Sequence, residues 1–251
     1  MGLKDDFQAE KTLVRDFHAS LDTSSPDGIE QALSSFVAPD WHWRGMHPFH
    51  EQRGAAAVAQ TFWTPLRKAL KPIQRRPDIF IAGLNEIDDF RGTWVVEMGH
   101  LMGLFDKPWL GIRPTQRIAM LRYCEFNRVE DGKIVETAMF CDIPHLMMQA
   151  GQNPFPPQTG AMLVQPGPRT HDGLCYEKQD SARGKAALGV INGMLKGMKE
   201  RTREEDPAVR LALDWHDDML WWGPAGDRSD LYHQTLLAAA QSAVPRRTGG
   251  L

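Results

Sequence analysis

The sequence predicts an α+β fold with helices gathered on one side of a strongly bent antiparallel sheet. Three observations carry this. Apolar residues recur at helical spacing through residues 10–70. The period then changes to alternation through residues 78–142. Asp131-Gly132 falls between the last two alternating runs, where glycine supplies the positive φ of a tight hairpin.

The elements follow in order. Over residues 10–21, Leu13, Phe17 and Leu21 give one apolar helical face. Ser25-Pro26 reads as a hydroxyl cap followed by proline at the first helical position. Ile29, Leu33 and Phe36 then line a second helix. In "APDWHWRGMHPFHEQRG", Trp41 and Trp43 alternate with His42 and Arg44, as in a half-buried strand. Gly54 to Leu70 forms a third helix with Val58, Phe62 and Leu66 on one face. Strands are expected over 78–84, 93–102, 116–129 and 133–142, and a short helix over 143–150.

Residues 152–180 carry Pro154, Pro156, Pro157, Pro166 and Pro168, so this stretch is a linker or an ordered wrapping arm. Helical spacing returns at Leu188, Ile191, Leu195 and Met198. "LDWHDDMLWWGPAG" at 213–226 echoes "APDWHWRGMHPFHE" at 38–51, a weak internal repeat. The expected division is a first domain over 1–152, a Pro/Gly-rich linker over 153–180, and a partial second, α-rich repeat of the first over 181–251.

Composition sets bounds. The chain has 251 residues, 42% hydrophobic and 24% charged, with a net charge of -3. No basic stripe marks a nucleic-acid binder. No apolar run reaches the roughly 18 residues that span a bilayer. The start lacks a signal-peptide core, and Asp6 stands where a myristoylation site takes Ser or Thr. A cytoplasmic protein with no membrane association is expected. The three cysteines show no CxxC spacing and read as reduced thiols. Neither a phosphate-cradling glycine loop nor a GxSxG elbow occurs, so no cofactor is expected and a serine hydrolase is disfavoured.

Several motifs belong together: "PDWHWRG…PFHEQRG", "FWTPLRKAL", "RRPDIFIAG", "GHLMGLF", "GIRPT" and "RYCEFNRVEDGKIVETAMFCDIPHLMMQAGQNP". With them, residues 10–155 resemble the SnoaL-like polyketide cyclases of the nuclear-transport-factor-2-like superfamily. The most specific piece is the R-x-E-D-G-K-I-V-E turn with Asp142 after it, then Gln-Ala-Gly. The resemblance implies a cone-shaped half-barrel whose curved sheet wraps around helices and leaves a deep apolar pocket. It also implies metal-free and cofactor-free acid/base chemistry by an aspartate at the position of Asp142. Relatives with this fold include isomerases, dehydratases, epoxide hydrolases and binders, so the fold alone does not set the reaction. Residues 205–226 resemble the start of a second such domain without its later strands.

The candidate residues read two ways. Asp142 shares strand parity with Ile134, Glu136, Ala138 and Phe140, and among apolar groups its pKa would rise toward that of a useful acid/base. It also precedes Ile143-Pro144, where aspartate is a favoured helix cap. His100 alternates with Val96 and Met98; it could polarise a carbonyl or be a satisfied core histidine. Trp41, Trp43, Phe62 and Met139 are candidate pocket walls or plain core. Tyr123 could offer a phenol. Gln149 reaches Asp142 only if the 143–150 helix turns back over the pocket. His47, His50 and Glu51 lack the helical spacing of a zinc site, so no metal is expected and His47 is a candidate pocket rim. Glu97 and Glu125 fall opposite their apolar neighbours and read as solvent-facing or inter-subunit. Leu146-Met147-Met148 is a deformable lid or ordinary core.

Two functions follow. One is a cofactor-independent enzyme acting on a small apolar carbonyl-bearing metabolite, with Asp142 removing a proton and His100 steadying the enolate. The other is a non-catalytic module that binds an apolar metabolite or oligomerises. A homodimer is expected in either case.

Overall fold

The computed structural model describes residues 4–155 and 170–200, with Trp215, Gly223 and Pro224. The chain divides into two units, Met1–Pro154 with Pro166–Lys178, and Phe155–Gln165 with Gln179–Leu251.

In the first unit, α1 spans Gln8–Thr23 and buries Val14, Phe17, His18 and Leu21. These residues follow the i, i+3, i+4, i+7 spacing of one helical face. A short 3₁₀ turn over Pro26–Gly28 follows; Ser25 has the extended backbone of a cap, but its hydroxyl makes no capping bond. Next come α2 (Ile29–Ser34), β1 (Val37–Gly45) and β2 (Glu51–Arg53).

The single helix predicted over Gly54–Leu70 is interrupted. It runs as α3 (Gly54–Val58), a wide π turn (Ala59–Trp63) and α4 (Thr64–Ala69). Pro65 lies in the first turn after the π segment and has no N–H for the helical ladder, so the helix widens just ahead of it.

The remaining strands are β3 (Leu70–Leu84), β4 (Thr93–Phe105), β5 (Ile118–Glu130) and β6 (Lys133–Cys141), and α5 (Ile143–Gln149) follows. Asp131 and Gly132 turn the β5–β6 hairpin with φ of 47° and 71°. The six strands order β2-β1-β6-β5-β4-β3 in a curved, unclosed sheet. All neighbours are antiparallel except β1 and β6, which run parallel. That pairing joins residues about ninety-five apart in sequence, such as Trp43 with Thr137, which local spacing cannot show.

The core lies between the helices and one face of the sheet. Trp41, Trp43, Phe62, Trp63, Leu66 and Phe105 are essentially unexposed there. Gly45 makes the Trp43 position possible: a Cβ on Gly45 would stand 2.3 Å from the Trp43 ring.

The described part of the Pro/Gly-rich stretch wraps the first unit. Phe80 N–H donates to Gly173 O at 2.7 Å and Cys175 N–H to Phe80 O at 2.8 Å, covering the outer edge of β3. The Tyr176 ring packs tilted against Phe80, centroids 5.1 Å apart, and the Arg15 guanidinium lies 4.6 Å over the Tyr176 ring.

In the second unit, α6 spans Ser181–Lys199, capped by Asp180, whose carboxylate accepts from Ala182 N–H at 2.9 Å. Its Leu188, Ile191, Leu195 and Met198 are exposed. The proposed repeat at 205–226 lies outside the described residues apart from Trp215, Gly223 and Pro224. Among the described residues no helix is long and apolar enough to cross a membrane.

Candidate active site on the inner face of the sheet

Strand alternation assigns the chemistry. On β4 the residues facing the helices are Val95, Glu97, Leu101 and Phe105; on β5 they are Ala119, Leu121, Tyr123, Glu125, Asn127 and Val129. Register sets Glu97 opposite Glu125 and Asn127 opposite Thr137. Glu97 is 3% exposed and Glu125 0%. The solvent-facing reading of both acids is therefore overturned. Their apolar neighbours Val96, Met98, Cys124 and Phe126 lie on the outer face, which is itself partly buried.

Two buried acids on adjacent strands need compensating charge. His18 supplies it from α1: Nε2 meets Glu125 Oε2 at 2.7 Å and Nδ1 meets Glu97 Oε1 at 3.2 Å. Arg75 supplies more from β3, with Nη1 3.1 Å from Glu97 Oε1 and Nε 3.3 Å from Asp22 Oδ2. Tyr123 donates its hydroxyl to Glu97 Oε1 at 2.5 Å. Beside this group, Trp41 Nε1–H donates to Thr137 Oγ1 at 3.0 Å, and Thr137 donates to Asn127 Oδ1 at 2.6 Å.

The protonation states follow. Burial opposes a charge on His18, and Arg75 opposes it too, but Glu97 and Glu125 outweigh both and hold its pKa at about 9. His18 is then an imidazolium at neutral pH, hydrogen-bonded to Glu125 through Nε2 and ion-paired with Glu97 through Nδ1. Burial likewise opposes a charge on Glu97, yet His18, Arg75 and Tyr123 hold its carboxyl well below the usual range. Burial pushes the Tyr123 phenol well up, so it stays a neutral donor. His18, Arg75, Glu97 and Glu125 together form a buried, charge-balanced tetrad.

The tetrad leaves some capacity unused. Among the described residues, Glu125 Oε1, His18 Nδ1, Arg75 Nη2, Asn127 Nδ2 and the indole nitrogens of Trp43 and Trp63 are buried without a protein hydrogen-bond partner. Buried polar atoms are normally satisfied, so this unused capacity on the inner face is what a polar guest would meet there. An aromatic wall adjoins it: Phe62 lies 5.3 Å from Trp43, 4.9 Å from Phe49 and 5.1 Å from Trp63, centroid to centroid.

Sequence-predicted residues divide between two faces. Trp41, Trp43, Phe62, Tyr123 and Met139 come together inside, and Met139 stands opposite Glu125. Asp142 and His100 do not join them. Met139 and Cys141 face inward, whereas Asp142, 8% exposed, follows the end of β6 on the parity of Phe140. The Asp142 carboxylate caps α5, accepting from His145 N–H at 3.1 Å, and its charge acts on Arg122. His100 Nδ1 pairs with Asp78 Oδ2 at 3.3 Å; a β-bulge between Pro77 and Ile79 sets Asp78 there. Gln149 is held by the backbone of Met120, donating to its O at 2.8 Å and accepting from its N–H at 3.0 Å. His47 is on the surface, its ring 5.5 Å from that of His50. Among the described residues, no three His, Cys, Asp or Glu converge as metal ligands.

The residues missed from sequence are His18, Arg75, Glu97, Glu125 and Asn127. One signal for His18 was present: Val14, Phe17, His18 and Leu21 form the better helical stripe, with the histidine inside it.

Residues 14–137 match the SnoaL-like domain family. They are a SnoaL-like domain. No curated protein matches the chain. Among solved structures, a protein from Jannaschia sp. CCS1 named as a SnoaL-like polyketide cyclase is 17% identical, over 62% of this chain and 99% of its own, with TM-score 0.46. IdmH of Streptomyces antibioticus, named as a polyketide cyclase, is 16% identical over 56% of this chain and 96% of its own, with TM-score 0.45. An NTF2-like protein from Burkholderia thailandensis E264 is 23% identical over 57% of this chain and 96% of its own, with TM-score 0.42. The SnoaL-like domain contains the whole inner tetrad, whereas Asp142 follows its last matched residue.

Proposed function

We propose that the SnoaL-like domain is a cofactor-independent acid/base enzyme acting on a small apolar carbonyl-bearing metabolite. The reaction type is proton abstraction next to the carbonyl, leading to aldol cyclisation, isomerisation or dehydration. The observation that carries this reading is the unpartnered Glu125 Oε1, fully buried, on a carboxylate whose other oxygen is held by His18. Glu125 takes the α-proton as base. The enolate oxygen is received by free donors of the same inner face, Asn127 Nδ2 or Arg75 Nη2. The protonated Glu125 then returns its proton to a different carbon in isomerisation, to the alkoxide left by intramolecular carbon–carbon bond formation, or to the β-hydroxyl group that departs as water when the enolate collapses in dehydration. No electrons leave the pair of reactants. Trp43, Phe49 and Phe62 supply the apolar wall that excludes water.

Tyr123 and Glu125 are 1% and 0% exposed, which favours the competing reading of a non-catalytic module unless the aromatic wall moves to admit a ligand. The two readings separate by α-proton exchange in D2O, followed by NMR for a panel of small cyclic ketones and β-dicarbonyl compounds. Wild type is expected to exchange above buffer. Glu125→Gln should lose about 10²–10⁴-fold, the usual weight of a positioned base. Asp142→Asn should keep its rate within a few-fold. Exchange abolished by Asp142→Asn and kept by Glu125→Gln would move the chemistry to the outer face. Absence of exchange across the panel would favour the binding module.

A further inference from the structure

A second candidate site lies at the end of β5. An open groove of about 600 Å³ is lined by residues 113–115, 117–119 and 149–151. Among the described residues its only charged lining residues are Arg113 and Arg117, both exposed, and neither guanidinium pairs with an acid there. Ile118, 63% exposed, and Ala119, 2% exposed, give the groove an apolar side.

The walls are pinned. The Gln149 amide clasps both backbone groups of Met120, and Gln152 Oε1 accepts from Arg113 N–H at 2.7 Å. The loop ahead of β5, the start of β5 and the end of α5 are therefore tied to one another, and the groove is formed before anything binds.

Two unpaired guanidinium groups beside an apolar wall select one class of ligand. Arginine presents a planar fork of donors that matches an oxyanion. The volume suits one small organic molecule. We propose that this groove binds an amphipathic organic anion: its carboxylate or other oxyanion between Arg113 and Arg117, its apolar body against Ile118 and Ala119. The groove stands on its own geometry. Ala119 is also the first of the inward residues Ala119, Leu121, Tyr123 and Glu125, so if the domain is the enzyme proposed above, the groove makes its substrate an acid held at one end of that stripe.

The test uses the full chain and two fluorescent probes of similar shape: the anion 8-anilino-1-naphthalenesulfonate and the neutral N-phenyl-1-naphthylamine. The double variant Arg113→Gln/Arg117→Gln should bind the anion about ten-fold more weakly and the neutral probe unchanged. Arg113→Lys/Arg117→Lys should recover most of the loss, since charge is kept and only the fork is lost. Raising salt should weaken the anion alone. Arg91→Gln, a remote arginine that is 79% exposed, should have no effect, and Glu125→Gln should keep anion binding. The proposal is overturned if the double Gln variant binds the anion as wild type does, or if both probes weaken together. Loss of the anion in Glu125→Gln but not in the double variant would place the probe inside the sheet and overturn it as well.

Discussion

The two faces of β4 and β5 carry similar inventories and do different things with them. Inside, Glu97 and Glu125 meet His18 and Arg75; outside, Asp78 and Asp142 meet His100 and Arg122. Outside, each acid has a structural task. Asp142 caps α5, and Asp78 holds His100 at a bulge. Inside, the charges balance but one carboxylate oxygen is left over. The difference comes from what covers each face. α1 lays a histidine between the two inner acids, and a bridging imidazolium can satisfy only one oxygen of Glu125.

Removing charge compensation breaks this comparison most severely. Arg75→Met leaves Glu97 and Asp22 without their guanidinium, and breaking a buried pair in this way costs roughly 3–5 kcal/mol. Urea denaturation should show that loss, and Arg122→Met should cost clearly less; equal losses would erase the distinction between the faces.

The next largest effect depends on pH. The His18 pKa is raised from 6.5 to about 9 by folding, so its stabilisation is complete below pH 6.5 and fades as pH climbs through 9. That displacement corresponds to roughly 3 kcal/mol. Glu97 acts in the opposite sense, being lowered from 4.5, and its stabilisation is complete above pH 4.5 and fades in acid. Thermal unfolding across pH should therefore peak between those values, and His18→Gln should flatten the alkaline limb.

A smaller effect sharpens the reading of the outer face. Asp142→Ala should cost about 1 kcal/mol for the lost helix cap and more for the charge facing Arg122, and Asp142→Asn, which keeps the cap, should cost less than Asp142→Ala. The smallest belongs to the pair of exposed Arg44 and half-buried Glu136, whose Arg44→Gln change should stay under about 0.5 kcal/mol by the same denaturation measurement.

Much of the fold was legible. The alternation at Trp41 and Trp43, the Asp131-Gly132 hairpin and the Asp142 cap are all local events, written in a few consecutive residues. The site was less so. Period-two spacing separates two faces of a strand but does not say which is inside. Here the outer face also carries Val96, Met98, Cys124 and Phe126, and its apolar character made the acids opposite look solvated. Arg75 lies in a stretch of β3 ahead of the predicted strand, and its partner Glu97 is known only once β3 and β4 pair. The β1–β6 contact is longer-range still. His18 was within reach, because Val14 to Leu21 already spelled its face.

The central claim is that His18 is a buried imidazolium joining the inner acids. It is tested most directly by following the ring protons of wild-type histidines by NMR across pH, with His18 assigned by its loss in His18→Gln. His18 should remain protonated through pH 8 and titrate near 9. Titration at or below the ordinary 6.5 would show that the inner acids do not hold it, and the tetrad would not exist as described.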